Sequence, residues 1–141
     1  MADVPVLNQC KARKISPMLA VNDMLVTVAF YEEVLGFSAL RKSPQYCILQ
    51  RDGQTIHFKK KWIASQDVAR NVGLHTEIYI EVSGIHALWE HVKNFKDRYR
   101  IKDLFDREYG MTEFHIFDPD DCLIFVGEPT ANCKPVPFAN D

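Results

Sequence analysis

Apolar and polar residues alternate with two different periods along this chain, and the order in which those periods change predicts its architecture. Ile15 to Val21 reads as a strand that stops at Asn22-Asp23, where Asp23 is an N-cap for a helix over Met24 to Leu35. Leu25, Val28, Ala29, Tyr31, Val34 and Leu35 follow a helical period, Glu32 and Glu33 lie opposite, and Gly36 ends the helix as a C′ glycine. Phe37 to Leu40, Tyr46 to Gln50 and Gln54 to Lys59 read as short strands, the last two joined by a tight turn at Asp52-Gly53. Lys60 to Leu74 has neither period and reads as a connection. From Glu77 the pattern restarts, with Glu77 to Val82 as a strand, Ser83 as a cap and Ile85 to Phe95 as a helix that turns Ile85, Leu88, Trp89 and Val92 to one side. Arg100 to Arg107, Thr112 to Asp118 and Cys122 to Gly127 supply three more strands, the last two meeting at the turn Asp118-Pro119-Asp120-Asp121.

The restart is an internal repeat. Val21-Asn22-Asp23 overlays Val82-Ser83-Gly84 at an offset of about 61, and the stretch from Asp52 to Phe58 overlays Asp120 to Val126 at about 68. The expected fold is α+β: two βαβββ modules over residues 14–60 and 76–128, an N-terminal extension over 1–13, a linker over 61–75 and a C-terminal tail over 129–141. Within the strands, Leu19, Val21, Ile56, Phe58, Ile78, Ile80, Ile124 and Val126 belong under the helices. The opposite face mixes Ser16, Met18, Thr55, His57, Lys59, Glu77, Tyr79, Glu81, Leu123 and Phe125. A face of that mixture suits a concave ligand cup, a dimer interface or a solvated sheet.

Composition narrows the function. With 47% hydrophobic and 26% charged residues the chain is that of an ordinary globular protein. Seventeen Lys and Arg against 19 Asp and Glu give a net charge of −2, which removes the basic footprint of a nucleic-acid binder. Apolar runs are too short for a membrane span and the first residues do not read as a signal peptide, so a cytoplasmic location is expected. Cys10, Cys47, Cys122 and Cys133 have no zinc or redox spacing and are expected to be reduced thiols.

Three strings carry a resemblance to a known family: Pro17-Met18-Leu19-Ala20-Val21-Asn22-Asp23; Ala29-Phe30-Tyr31-Glu32-Glu33-Val34-Leu35-Gly36-Phe37; and Tyr109-Gly110-Met111-Thr112-Glu113-Phe114 with Phe117-Asp118-Pro119-Asp120-Asp121. They resemble the vicinal oxygen chelate superfamily of glyoxalases, extradiol dioxygenases and fosfomycin- and bleomycin-resistance proteins, and look most like its bleomycin-resistance branch. The resemblance runs from about Ile15 to Glu128 and implies curved mixed sheets around a concave cup.

Enzymes of that superfamily hold a divalent metal at up to four positions, which fall here on Ser16, His57, Glu77 and Phe125. Only His57 and Glu77 are competent ligands, whereas catalytic divalent sites present at least three protein groups. The resemblance therefore implies a metal-independent binding protein with no cofactor, sequestering an aromatic or glycopeptide antibiotic, rather than an enzyme. The alternatives are a metal-dependent lyase or dioxygenase that completes His57 and Glu77 from a partner or substrate, and a structural or regulatory protein whose cup is occluded. Expected ligand contacts are Glu77, Glu81 and Glu113 for charge, Tyr79, Tyr109, Trp62 and Phe125 for stacking, and Met18, His57 and His115 as further cup lining. Lys59-Lys60-Lys61 beside the cup opposes a polycation, so a neutral or anionic small molecule fits as well. Half-barrel modules must pair to close a cup and cover their edges, either within the chain or between two chains, and the resemblance implies the second, a homodimer, with the two modules expected to stay together around a shared cup.

Overall fold

The structure is a computed structural model in which residues 8–61 and 76–131 are described. Trp62, His75, Cys133 and the expected C-terminal tail beyond 131 lie outside those residues. The two expected modules are present, each a strand, a helix and three strands. Module one comprises β1 (Met18–Val21), α1 (Met24–Glu33), β2 (Ser38–Lys42), β3 (Tyr46–Arg51) and β4 (Gln54–Lys60). Module two comprises β5 (Glu77–Glu81), α2 (Ile85–Val92), a 3-10 turn (Lys93–Phe95), β6 (Ile101–Asp106), β7 (Met111–Phe117) and β8 (Leu123–Pro129). Their sheets have the same order, β1-β4-β3-β2 and β5-β8-β7-β6, with the first strand parallel to the last and the other pairs antiparallel.

Local chemistry sets the boundaries. The Asp23 carboxylate accepts from the Leu25 and Val26 backbone N–H groups and starts α1. Gly36, at φ +75°, turns the chain out of the helix. The Asp52-Gly53 hairpin has positive φ at both residues, as a two-residue type I′ connection needs. Strand β1 begins at Met18, three residues later than the alternation predicts. Pro17 has no N–H for the ladder, though its carbonyl accepts from His57, and Ile15 lies exposed before it.

Two further expectations are corrected. Leu25 is 75% exposed instead of inward, and the buried positions of α1 include Met24, Thr27, Val28, Phe30 and Tyr31. Thr27 turns inward because its hydroxyl donates to Asp120. Ser83 does not cap α2: the N-cap is Gly84, and the Glu128 carboxylate accepts from the Gly84 and Ile85 N–H groups instead. Those bonds hold the Glu128 carboxyl below its usual range.

Phe30, Tyr31, Leu49, Phe58, Ile85, Phe114, Ile116 and Ile124 belong to one buried cluster shared by both modules. The modules are joined through this helix side, not through the cup. Tyr31 donates to Asp118 at 2.7 Å, while the Asn22 backbone, the Asn22 amide and the Thr27 hydroxyl donate to Asp120 at 3.0, 2.6 and 3.3 Å. Asp118 also accepts from the Asp120 and Cys122 N–H groups, which locks the turn. Burial raises the Asp118 carboxyl above its usual range even though these donors pull it down. Phe30 meets Tyr99 edge-on, and His91 Nε2 donates to the Glu33 carbonyl across the same joint. Helices and core thus occupy the side where the modules meet, and the opposite face of each sheet is not covered by the other sheet.

Candidate functional site

Strand register places the open face of each sheet in three cross-strand rows. In module two the central row runs Tyr79, Phe125, His115, Lys102 from β5 to β6. The row beside it runs Glu81, Gly127, Glu113, Phe105. A third runs Glu77, Leu123, Phe117. Odd positions of β7 take this face because Phe114 and Ile116, between them, are wholly buried under the helices.

Glu113 organises the surface. It is 0% exposed, yet its carboxylate accepts three bonds: from the Tyr79 hydroxyl at 2.8 Å, the Tyr109 hydroxyl at 2.7 Å and His115 Nε2 at 2.9 Å. Burial alone raises its carboxyl, and the donors from His115, Tyr109 and Tyr79 more than reverse that, leaving it below the usual range. The same contacts raise both phenols: burial first, then the bond to Glu113 and its charge. Tyr79 and Tyr109 therefore stay protonated donors at neutral pH. Gly127 makes this geometry possible, because a Cβ there would meet the Tyr79 oxygen at 2.2 Å and Glu113 Cγ at 3.0 Å.

Two of the three donors, Tyr79 and His115, join an aromatic surface. Tyr79 stacks on Phe125 at 6.1 Å between centroids, His115 lies 4.0 Å from Phe125, and Phe105 meets His115 edge-on at 5.6 Å. Tyr79 and Tyr109 remain 46% and 44% exposed, so this surface is accessible in the single chain.

Module one has a different face on the same register. Its rows are Met18, His57, Ile48, Arg41, then Ala20, Lys59, Tyr46, then Ser16, Thr55, Gln50, Ser38. Tyr46 Oη and His57 Nδ1 lie 2.6 Å apart, Ser16 and Thr55 share a hydrogen bond, and Gln50 donates to Ser38. Met18 projects from this face half exposed.

The structure therefore brings Tyr79, Tyr109, Glu113, His115 and Phe125 together. Glu77 stands exposed at the end of the same sheet, while Met18 and His57 belong to the other one. At the four positions of the superfamily's metal, Ser16 is engaged by Thr55, His57 by Tyr46, and Phe125 by two rings. One imidazole and one carboxylate fall short of the three protein groups that a catalytic divalent site presents. Among the described residues no group of three His, Cys, Asp or Glu side chains is placed to hold a metal. Sequence reasoning missed Phe105, Tyr46 and Gly127. Gly127, inside a strand pattern, was a readable sign of close approach. Phe105 was hidden by a register shift between Lys102 and Phe105 that breaks the alternation.

Larger concavities lie off these faces, including one of ~420 Å³ beside the start of α1 lined by Met24, Leu25, Val28, Lys42, Pro44 and Lys60. Asn22, Asp23 and Ser43 line it as well, and it has no aromatic ring. No helix among the described residues is long and apolar enough to cross a membrane.

Comparisons with known proteins agree with the fold. The chain is 28% identical over 122 residues to bleomycin resistance proteins of Geobacillus stearothermophilus and Staphylococcus aureus, covering 77% of this chain and 90% of theirs. A bleomycin-binding protein in complex with bleomycin superposes with a TM-score of 0.66 at 22% identity, over 83% of this chain and 98% of that one. A glyoxalase-related enzyme from Clostridium phytofermentans superposes with a TM-score of 0.65 at 20% identity, over 85% and 97%. The model of the Glyoxalase/Bleomycin resistance protein/Dioxygenase superfamily matches residues 13–126, most of both modules, and the chain belongs to that superfamily.

Proposed function

We propose that the chain is a metal-independent small-molecule-binding protein that sequesters an aromatic ligand of the antibiotic kind. The observation that carries this reading is the Tyr79, Phe125 and His115 surface, held rigid by a buried Glu113 and still open to solvent. Rigid aromatic surface with few fixed polar groups is what a flat ligand needs, because little ordering entropy remains to be lost on binding. The bleomycin resistance relatives support a sequestering role, and the donor set at the metal positions supports metal independence. A second copy closes the site: the open faces of one chain lie away from the joint between its modules, so the aromatic face of one protomer is completed by the hydroxyl-bearing face of its partner in a homodimer.

Calorimetric titration with a panel of aromatic compounds, bleomycin among them, tests the reading. Saturable binding of at least one probe at one site per protomer, unchanged after dialysis against a chelator, is expected. No saturable binding of any probe overturns it. Binding or turnover that disappears with chelator and returns with a divalent ion instead favours a metal-dependent lyase or dioxygenase built on His57 and Glu77.

A further inference from the structure

We infer that the cup selects anionic aromatic ligands, a carboxylate, sulfonate or phosphate on a flat ring, with Lys102 and Arg107 on the β6 rim receiving the anion. This rests on the binding reading above and names the ligand class for that same site. The rim carries three cations set against aromatic rings: Arg100 lies 4.0 Å over Phe117, Lys102 4.6 Å over Phe105, and Arg107 is held between Phe105 and Tyr109 at 5.0 Å from each.

Arg100 is already paired, at 2.6 Å from Asp121. Lys102 forms no ion pair among the described residues, and Arg107 has only Glu108 at 3.9 Å. Arg107 Nε is buried without a hydrogen-bond partner, so no internal bond consumes the charge of a side chain that two rings already hold in place. Beside Lys102 a shallow depression of ~300 Å³ is lined by Arg100, Ile101, Lys102, His115, Phe117 and Leu123. A flat ring lying on His115 and Phe125 would present its substituent to this rim.

Of the rim's own carboxylates, Asp103 pairs with Lys96, Asp106 accepts from the Thr112 hydroxyl, and Glu108 points into solvent 3.9 Å from Arg107. Glu113 is buried and satisfied by three donors, and Glu77 and Glu81 stand on β5, at the opposite edge of the sheet from β6. Module one contributes the same sign: its open face carries Arg41 and Lys59 and no carboxylate. A guanidinium and an ammonium set in place before binding favour a carboxylate, sulfonate or phosphate over a cation of equal shape.

Three probes sharing one ring test this: 2-naphthoate, 2-naphthalenemethanol and 2-naphthylmethylammonium, titrated into the full chain at low salt by calorimetry. The expected order is anion, neutral, cation, with the anion at least about tenfold tighter than the cation and the gap shrinking as salt is added. Lys102→Gln and Arg107→Gln should each lower the ratio of naphthoate to naphthalenemethanol affinity, by about three- to tenfold. Lys102→Glu, at an exposed position, should lower it further while melting like the parent chain. A cation bound as tightly as the anion, or a ratio that none of these variants moves, overturns the inference and leaves the cup standing. Failure of all three probes to saturate overturns the cup reading itself, and the inference with it.

Discussion

The two modules share one backbone plan and differ in what they place on it. At matching register, module one has Met18, His57 and Ile48 where module two has Tyr79, Phe125 and His115; it has Lys59 and Tyr46 where module two has Gly127 and Glu113. In module one the polar groups pair locally, His57 with Tyr46 and Ser16 with Thr55, and no charge is buried. In module two a single buried carboxylate collects three donors from β5, β7 and the turn before β7. A repeated scaffold can thus supply two unlike half-sites, one adaptable and one rigid, without any change in topology.

That contrast breaks most visibly at Glu113. Glu113→Gln should lower stability by about 3 kcal/mol in urea unfolding, because the neutral amide loses the charge that strengthens all three bonds and can accept through one oxygen alone. The corresponding change in module one, Tyr46→Phe, should cost under about 1 kcal/mol, as one half-buried bond is lost. Gly127→Ala should cost about 2 kcal/mol and displace Tyr79, since the new methyl occupies the position of its hydroxyl. Near-ultraviolet circular dichroism of the tyrosines would register the displacement.

The joint between the modules gives a third comparison, because the Asp52-Gly53 hairpin is exposed while its counterpart at Asp118 to Asp121 is tied to α1. Tyr31→Phe should cost about 1.5 kcal/mol by removing one bond from a buried carboxyl. A substitution at Asp52 that keeps the positive φ, such as Asp52→Asn, should change stability by less than about 0.5 kcal/mol.

The smallest effect is in pH. The folded Glu113 carboxyl lies below its unfolded value of about 4.3, so its stabilisation is complete above that value and is lost as pH falls through the folded one. The stability gap between the parent chain and Glu113→Gln should therefore narrow below about pH 4. Asp118 carries the opposite sign: its raised value favours the protonated form, so its contribution weakens as pH rises from the ordinary carboxylate range toward its folded value.

The architecture was legible because period-two strands, a capped helix and glycine-marked turns recur twice in order, and each such signal has a local physical cause. Face assignments followed for Ile56 and Phe58, Ile78 and Ile80, and Ile124 and Val126. What could not be read was set by long-range partners. Thr27 reads as a polar surface position until Asp120, 93 residues away, is seen to accept its hydroxyl on the buried face of α1. Glu113 reads as one more carboxylate on a strand until Tyr79 and Tyr109 are seen to converge on it. The cap of α2 comes from Glu128, 43 residues beyond Ile85. The placement of Lys102 against Phe105 was hidden by the irregular register of β6, while Lys59-Lys60-Lys61 already pointed to cations at the cup's edge.

A crystal structure of the chain with 2-naphthoate tests the central claim most directly. The ring is expected on Tyr79, Phe125 and His115, its carboxylate at Lys102 and Arg107, and the Met18 and His57 face of a second copy across from it. Naphthoate bound elsewhere, or an aromatic face packed shut without room for a ring, would contradict it.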